Sequence, residues 1–303
     1  SLVLTDRRTD QHLYLRNKYY ASLVTGRLSQ NAVQRYYFFA NQPNLLDFFF
    51  VRKRKISTFV PNMLIKSKAI VIKCVKYGEQ KLIVDMYTEQ LGRITTAVKI
   101  SHSKKSKMRN MFFRPLTMLM IETDYRERMQ MQRLNDVQMY MPWTSIQFDP
   151  MKMTVGMFLA EVLCYAVRQE QSDSMLFRFI EQSMQWLDTT EQNISNFHIV
   201  FLLHLTGILG FMPAHEDYTP HTIFDLRTGE LAEHAPLHPD FLKETDTERM
   251  FQIMRITYAN MHLFKMTRAE RKRCLDTILY YYRLHLPAFP ELKSLAVMNE
   301  IFD

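Results

Sequence analysis

The stretch Met63-Leu64-Ile65-Lys66-Ser67-Lys68-Ala69-Ile70-Val71-Ile72-Lys73-Cys74-Val75 decides the fold. It is rich in β-branched residues and reads as a strand, and a turn signal, Tyr77-Gly78-Glu79-Gln80, follows at once. Four more short apolar segments succeed it: Lys81 to Tyr87, Arg93 to Lys99, Leu116 to Glu122 and Met129 to Val137. Glu89-Gln90-Leu91-Gly92 supplies a second turn, again with glycine where a positive φ is needed. Five short strands in so few residues suit a small closed barrel, and the OB-fold is the commonest nucleic-acid-binding member of that class. An SH3-like barrel fits the same pattern.

After Asp149-Pro150, an N-cap followed by proline at the first helical position, the apolar period lengthens to that of helices. One stripe is Phe158, Leu159, Val162, Leu163 and Ala166, and the next is Leu176, Phe177, Ile180, Met184 and Leu187. Phe197 to Leu209 is apolar nearly all round, which predicts a central helix stopped by Gly210. Asp246 to His262 and Thr267 to Leu286 complete the set, the last opening on a Thr267-x-x-Glu270 capping box. The expected class is α+β in several domains. A five-stranded barrel over 63–145 precedes an all-helical domain over 146–303, which holds an irregular, Pro- and His-rich insertion at 212–240. Residues 1–62, with Tyr36-Tyr37-Phe38-Phe39, Phe48-Phe49-Phe50 and Arg52-Lys53-Arg54-Lys55, read as an extension. It is expected to be upstream sequence ahead of a natural start at Met63, the alternative being a basic, aromatic binding arm.

Charge divides sharply along the chain. Residues 1–62 hold 10 Lys or Arg against 3 Asp or Glu, residues 63–145 hold 15 against 7, and residues 146–303 hold 14 against 21. A basic barrel beside an acidic helical domain points to a polyanion for the first and protein for the second. Cys74, Cys164 and Cys274 are too far apart for a disulfide framework or a metal knuckle, which predicts reduced, buried thiols. The apolar runs are too short or too polar to span a bilayer, and Asp6, Arg7, Arg8, Asp10 and Arg16 break any apolar core near the first residue. The expectation is a cytoplasmic, nucleoid-associated protein that meets no membrane. With seven glycines and no phosphate-cradling loop, nucleophile elbow or His-Glu-x-x-His helix, the sequence points away from an enzyme.

Three groups of residues together resemble the RecO family over 63–303. The first runs Ala69-Ile70-Val71-Ile72-Lys73, Tyr77-Gly78-Glu79, Tyr87-Thr88-Glu89-Gln90-Leu91-Gly92-Arg93-Ile94 and Lys104-Lys105-Ser106-Lys107. The second is Phe197 to Pro213, ending in Gly210-Phe211-Met212-Pro213, and the third is Leu292 to Val297. The resemblance implies an OB barrel that binds single-stranded DNA, strand annealing without bond chemistry, work upon single-strand binding protein, a partnership with RecR and, indirectly, loading of RecA. Two departures stand out. The family's four-cysteine zinc site has no counterpart in Ala214-His215-Glu216-Asp217-Tyr218, and Ile100-Ser101 replaces a glycine-containing turn. No metal and no cofactor are expected, since His215, His221, His234 and His238 are spaced unlike any compact knuckle.

The candidate DNA-binding residues are Lys73, Lys76, Tyr77, Lys81, Lys99, Lys104, Lys105, Lys107, Arg109 and Arg114, cations interleaved with the aromatic Phe112 and Phe113. Cations track phosphates and exposed rings stack on bases. Phe112 and Phe113 fit a core role as well. A second cluster, Lys265, Arg268, Arg271 and Lys272, opens the last helix, where positive charge opposes the macrodipole. With Phe264 and Leu275 it forms a candidate site for the acidic C-terminal tail of single-strand binding protein, as the resemblance implies. Two competing readings are a metal-dependent hydrolase built on the histidine-rich insertion and a helical interaction scaffold.

Overall fold

The computed structural model describes residues 63–99, 111–168, 171–191, 193–214 and 218–301. Residues 1–62 lie outside that range, so neither reading of the extension is addressed. The chain divides into two compact units, one comprising Phe59–Phe201 with Asn260–Asp303 and the other including Leu202–Ala259.

Five strands come first: β1 (Met63–Tyr77), β2 (Lys81–Thr88), β3 (Gly92–Lys99), β4 (Met118–Tyr125) and β5 (Met131–Met141). They close into a barrel in the order β1-β2-β3-β5-β4, the topology of an OB-fold. Closure depends on the length of β1, whose first half pairs with β4 while its second half pairs with β2. The register slips between Val71 and Lys73, leaving Ile72 as the extra residue of a bulge that bends the strand. Ala69, Val71, Val84, Met86, Ile94, Leu119, Ile121 and Val137 fill the interior, and Phe113 closes it. Each of these side chains larger than alanine, when fully buried, contributes about 1.5–3 kcal/mol.

Leu116 corrects one sequence reading. The apolar pattern has it opening the fourth strand, but that strand begins at Met118, and Leu116 sits at φ +63 with 1% exposure. Its N–H donates to the Val71 carbonyl at 2.7 Å, and its own carbonyl accepts the Trp143 indole N–H at 3.0 Å. Its apolarity signals burial, not backbone conformation.

Among the described residues the later elements are α1 (Pro150–Ala166), α2 (Ser174–Thr189), α3 (Phe197–Leu209), β6 (Ile223–Asp225), β7 (Glu230–Ala232), β8 (Phe241–Leu242), α4 (Glu244–Met254), α5 (Arg268–His285) and α6 (Ser294–Ile301). Asp149 and Asp173 cap α1 and α2 through their side chains, and Thr267 with Glu270 forms the expected box on α5. α1 packs against β1, and Ile70 and Ile72 of that strand are buried outside the barrel interior. Three polar contacts fasten helices to barrel. Lys68 Nζ donates to Glu181 at 3.1 Å, and the buried Tyr87 hydroxyl accepts the Asp173 backbone N–H at 3.0 Å. Arg93 Nη1 reaches the Cys164 and Val167 carbonyls at the end of α1, each at 2.7 Å, while its Nη2 pairs with Asp85 at 3.0 Å.

The connection from β5 to α1 is locked onto α2 through Asp188, 6% exposed. Its carboxylate accepts backbone N–H bonds from Thr144, Ser145 and Ile146 and the Thr144 hydroxyl. Lys152, 7% exposed, donates to Ser145 Oγ and to the Asp188 and Thr190 carbonyls.

In the other unit the insertion read as irregular contains a small antiparallel sheet, β7-β6-β8. Phe224 of β6 meets Phe251 of α4 edge-on at 5.7 Å, and Asp225 Oδ1 accepts the Arg227 N–H at 2.8 Å to shape the turn into β7. The helix expected over 246–262 ends at Met254, before Ile256-Thr257-Tyr258, whose branched and aromatic side chains are weak helix formers. α6 has no strong sequence signal, being eight residues long. The three cysteines are reduced thiols and half-buried, where full burial is the expectation from sequence.

Candidate nucleic-acid interface

Cross-strand partners in a ladder share a face of the sheet. The pairs Tyr77–Lys81 and Lys81–Lys99 therefore set three side chains in a row across β1, β2 and β3. Tyr77 is 68% exposed, and both lysines are exposed. Lys73 and Val75, opposite Asp85 and Ile83, continue the same outer face along β1, and Val75 is also exposed. Lys76 has the inward parity, opposite Leu82, but it stands exposed at the rim. Gly78, at φ +62, makes the turn that joins Tyr77 to Lys81.

Two other barrel cations are used in packing: Lys68 goes to Glu181 and Arg93 to Asp85 and α1. Among the described residues Lys73, Lys76, Lys81 and Lys99 take part in no such pair. On the far side of β1 the outer face mixes signs, with Lys66 opposite Glu122 and Glu122 opposite Asp136. The basic excess is thus concentrated on the β1–β3 end.

The structure does not bring every candidate together. Arg114 is exposed, but its neighbours Leu116 and Thr117 bond to Val71, six residues along β1 from Tyr77 or about 20 Å away. Phe113 is a core residue with no free ring face, and Phe112 packs half-buried against that core. Lys104, Lys105, Lys107 and Arg109 lie outside the described residues, in the segment that follows Lys99.

One element escapes the sequence reading. The β4–β5 turn carries exposed Arg126, Arg128 and Met129, and Met131 follows opposite Thr95 of β3. Gln132, 6% exposed, holds this turn by accepting the Arg126 N–H and donating to the Arg126 and Met129 carbonyls. No sequence signal marks this turn, because the burial of Gln132 becomes visible only in the fold.

The second cluster converges in part. Arg268, Arg271, Lys272 and Leu275 of α5 line a small hollow with His198 of α3 and Met298 and Asn299 of α6. Leu275 and Met298 give it an apolar floor, 3% and 1% exposed. Phe264 and Lys265 stand outside it, the Phe264 carbonyl accepting from Asn196 Nδ2 at 2.8 Å. Burial, and then the charge of Arg271, push His198 down to about 3, so its ring is neutral near pH 7. The hollow's charge comes from α5.

Among the described residues no three His, Cys, Asp or Glu side chains gather as metal ligands. His221 pairs with Glu244 at 2.7 Å and His238 with Asp225 at 3.3 Å, while His215 lies outside the described residues. No described helix is long and apolar enough to cross a membrane.

Comparison with known proteins places this sequence among relatives. The family model described as recombination protein O N terminal matches residues 63–143, and that described as recombination protein O C terminal matches residues 147–296. A protein of Bacteroides fragilis named DNA repair protein RecO is 41% identical over 242 residues, which cover 80% of this chain and all of that relative. Its namesake in Phocaeicola vulgatus is 41% identical over 241 residues, with the same coverage. The Flavobacterium psychrophilum protein of that name is 34% identical over 243 residues.

Proposed function

This chain belongs to the RecO family, and from that premise we infer that it is a DNA repair and recombination mediator whose barrel holds single-stranded DNA on the outer face of β1, β2 and β3. The observation that carries the site is the row Tyr77, Lys81, Lys99, an exposed ring beside two exposed cations at the hairpin end of an OB barrel. Lysines there neutralise phosphates and Tyr77 stacks on a base, sequence-tolerant contacts suited to strands of any composition. Lys73 and Lys76 extend the track along β1, and Arg128, Met129 and Met131 flank it from the β4–β5 turn. Lys104, Lys105, Lys107 and Arg109 continue it in sequence beyond Lys99.

The activity is binding and annealing, with no bond made or broken. Family membership supports work upon DNA coated by single-strand binding protein, association with RecR and, through it, delivery of RecA, in the cytoplasm with the nucleoid. The hollow on α5 suits the acidic C-terminal tail of single-strand binding protein: Arg268, Arg271 and Lys272 would meet its carboxylates while Leu275 and Met298 receive a terminal hydrophobic residue.

Titration of the full chain with labelled single-stranded DNA over a range of salt tests the DNA site. Tyr77→Ala should weaken binding by about 1–3 kcal/mol with an unchanged salt slope, because a stacked base releases no counterion. Unaltered affinity would remove Tyr77 from the site.

A further inference from the structure

We propose that Asn196 is a positioning residue for the peptide site, acting by fixing the guanidinium plane of Arg271. The proposal rests on the reading of the α5 hollow as a site for an acidic peptide. Asn196 lies just ahead of α3 and is 7% exposed, and its backbone carbonyl accepts the Val200 N–H at 3.1 Å, which anchors it to the first turn of that helix. Its side-chain oxygen accepts Arg271 Nε at 3.2 Å. Its amide nitrogen donates to the Met261 carbonyl at 3.3 Å and the Phe264 carbonyl at 2.8 Å, which ties down the segment leading into α5. That same segment returns a bond, because Arg271 Nη2 donates to the Met266 carbonyl at 3.2 Å.

Arg271 is thus held at Nε and at Nη2, and both of these bonds depend on Asn196: one directly, the other through the segment that Asn196 holds. A guanidinium recognises a carboxylate through planar, paired donors, so a fixed plane converts a mobile charge into an oriented one. Ordering the arginine before the ligand arrives removes a loss of freedom that binding would otherwise carry. Arg268 and Lys272 are exposed, in contrast to the half-buried Arg271, and Asn196 bonds to neither. The selectivity for a carboxylate over a diffuse anion therefore falls on Arg271, and its orientation on Asn196.

The test uses the full chain and a synthetic peptide of several aspartates ending in a hydrophobic residue with a free carboxylate, followed by fluorescence anisotropy. Arg271→Ala, Arg271→Lys, Asn196→Ala and the double variant Asn196→Ala/Arg271→Ala are compared, with melting temperature recorded for each. Arg271→Ala should weaken the peptide about tenfold. Arg271→Lys keeps the charge but not the fork, and it should recover less than half of that loss. Asn196→Ala should cost about fivefold alone and nothing further in the Arg271→Ala background, a coupling that simple destabilisation does not produce. If Arg271→Ala leaves the peptide affinity within twofold, the hollow is not the peptide site and the underlying reading falls. If Arg271→Ala weakens binding while Arg271→Lys restores it fully, or Asn196→Ala weakens it equally in both backgrounds, the site stands and the positioning role is overturned. Should Asn196→Ala fail to fold, the Arg271→Lys arm decides alone.

Discussion

Lys81 of β2 lies directly opposite Lys99 of β3, both exposed, with Tyr77 of β1 on the other flank of Lys81. Like charges facing one another across a ladder destabilise a sheet by up to about 1 kcal/mol. The barrel carries that repulsion at its hairpin end, and a bound polyanion would relieve it.

Changing Lys81 and Lys99 to Ala should therefore move stability and binding in opposite directions. Chemical denaturation should find the double variant unchanged or more stable, by no more than about 1 kcal/mol. Single-stranded DNA affinity should fall, and its logarithmic salt slope should flatten by about 0.7 for each phosphate left without its lysine. An unchanged slope would remove these lysines from the interface. The triple change of Lys104, Lys105 and Lys107 to Ala tests the adjoining segment by the same readout.

Arg93 should behave in the reverse way. Its guanidinium is used up between Asp85 and the last carbonyls of α1. Arg93→Ala leaves those carbonyls and a carboxylate without their donor, which should lower stability by about 2–4 kcal/mol. The salt slope for DNA should not change. A flattened slope at intact stability would mean that Arg93 touches phosphate.

Asp188 predicts sensitivity to strong acid. Burial alone would raise its pKa, but the N–H groups of Thr144, Ile146 and Ser145 and the Thr144 hydroxyl outweigh it and hold the carboxyl below the usual range. A carboxyl depressed in the folded state contributes stability that is full above its unfolded pKa and is lost as pH falls through its folded pKa. Asp188→Asn should cost about 2–4 kcal/mol at neutral pH and flatten the acid limb of the stability curve. A variant as stable as the parent at neutral pH would show the lock to be dispensable.

Two histidines of α3 predict an earlier loss. Burial, then the charge of Arg271, push His198 down to about 3. Burial also pushes His204 down to about 4, outweighing the bond to the Ile256 carbonyl. Both rings stay neutral in the folded chain while the unfolded chain protonates them near pH 6.5. Stability should accordingly decline as pH falls below about 6.5, by up to about 1.4 kcal/mol per pH unit for each ring. Melting curves from pH 7.5 downward, repeated on His198→Leu, should show roughly half the slope in the variant; identical slopes would mean that His198 protonates in place.

Purified protein should hold no stoichiometric zinc, since His221 and His238 are engaged with Glu244 and Asp225 and no thiolate lies near them in sequence. Elemental analysis checks this. One tightly held zinc per chain, whose removal melts the β6–β8 sheet, would show that the insertion binds metal without cysteine.

Much of the fold is legible in the sequence because periodicity and turn chemistry agree locally. The barrel strands stand out as short apolar segments between turn signals, Asp149-Pro150 and Thr267-x-x-Glu270 announce their helices, and Gly210 ends α3 at φ +88. Where apolarity serves long-range packing, the reading fails. Leu116 looks like strand because it is buried, and Phe112 and Phe113 look able to stack because cations surround them in sequence. The site is legible as residue types but not as a surface: only the registers Tyr77–Lys81 and Lys81–Lys99 separate a row from Arg114, which charge alone groups with it. The grip of Asn196 on Arg271 links positions 75 apart, beyond the reach of any local pattern.

The packing of α1 on β1 bears finally on how the protein is made. The barrel's last strand ends at Met141, so all five strands have left the ribosome while Ile70 and Ile72 still lack α1 and the Tyr87 hydroxyl still lacks Asp173. At about 5–20 residues per second the shortfall persists for seconds. Through that interval the nascent barrel exposes a greasy strip on its outer wall, the kind of surface that chaperones bind and neighbouring polysomes stick to. A pause in translation that falls after Met141 has emerged and before Asp173 has should therefore harm yield more than one of equal length after α2 has emerged.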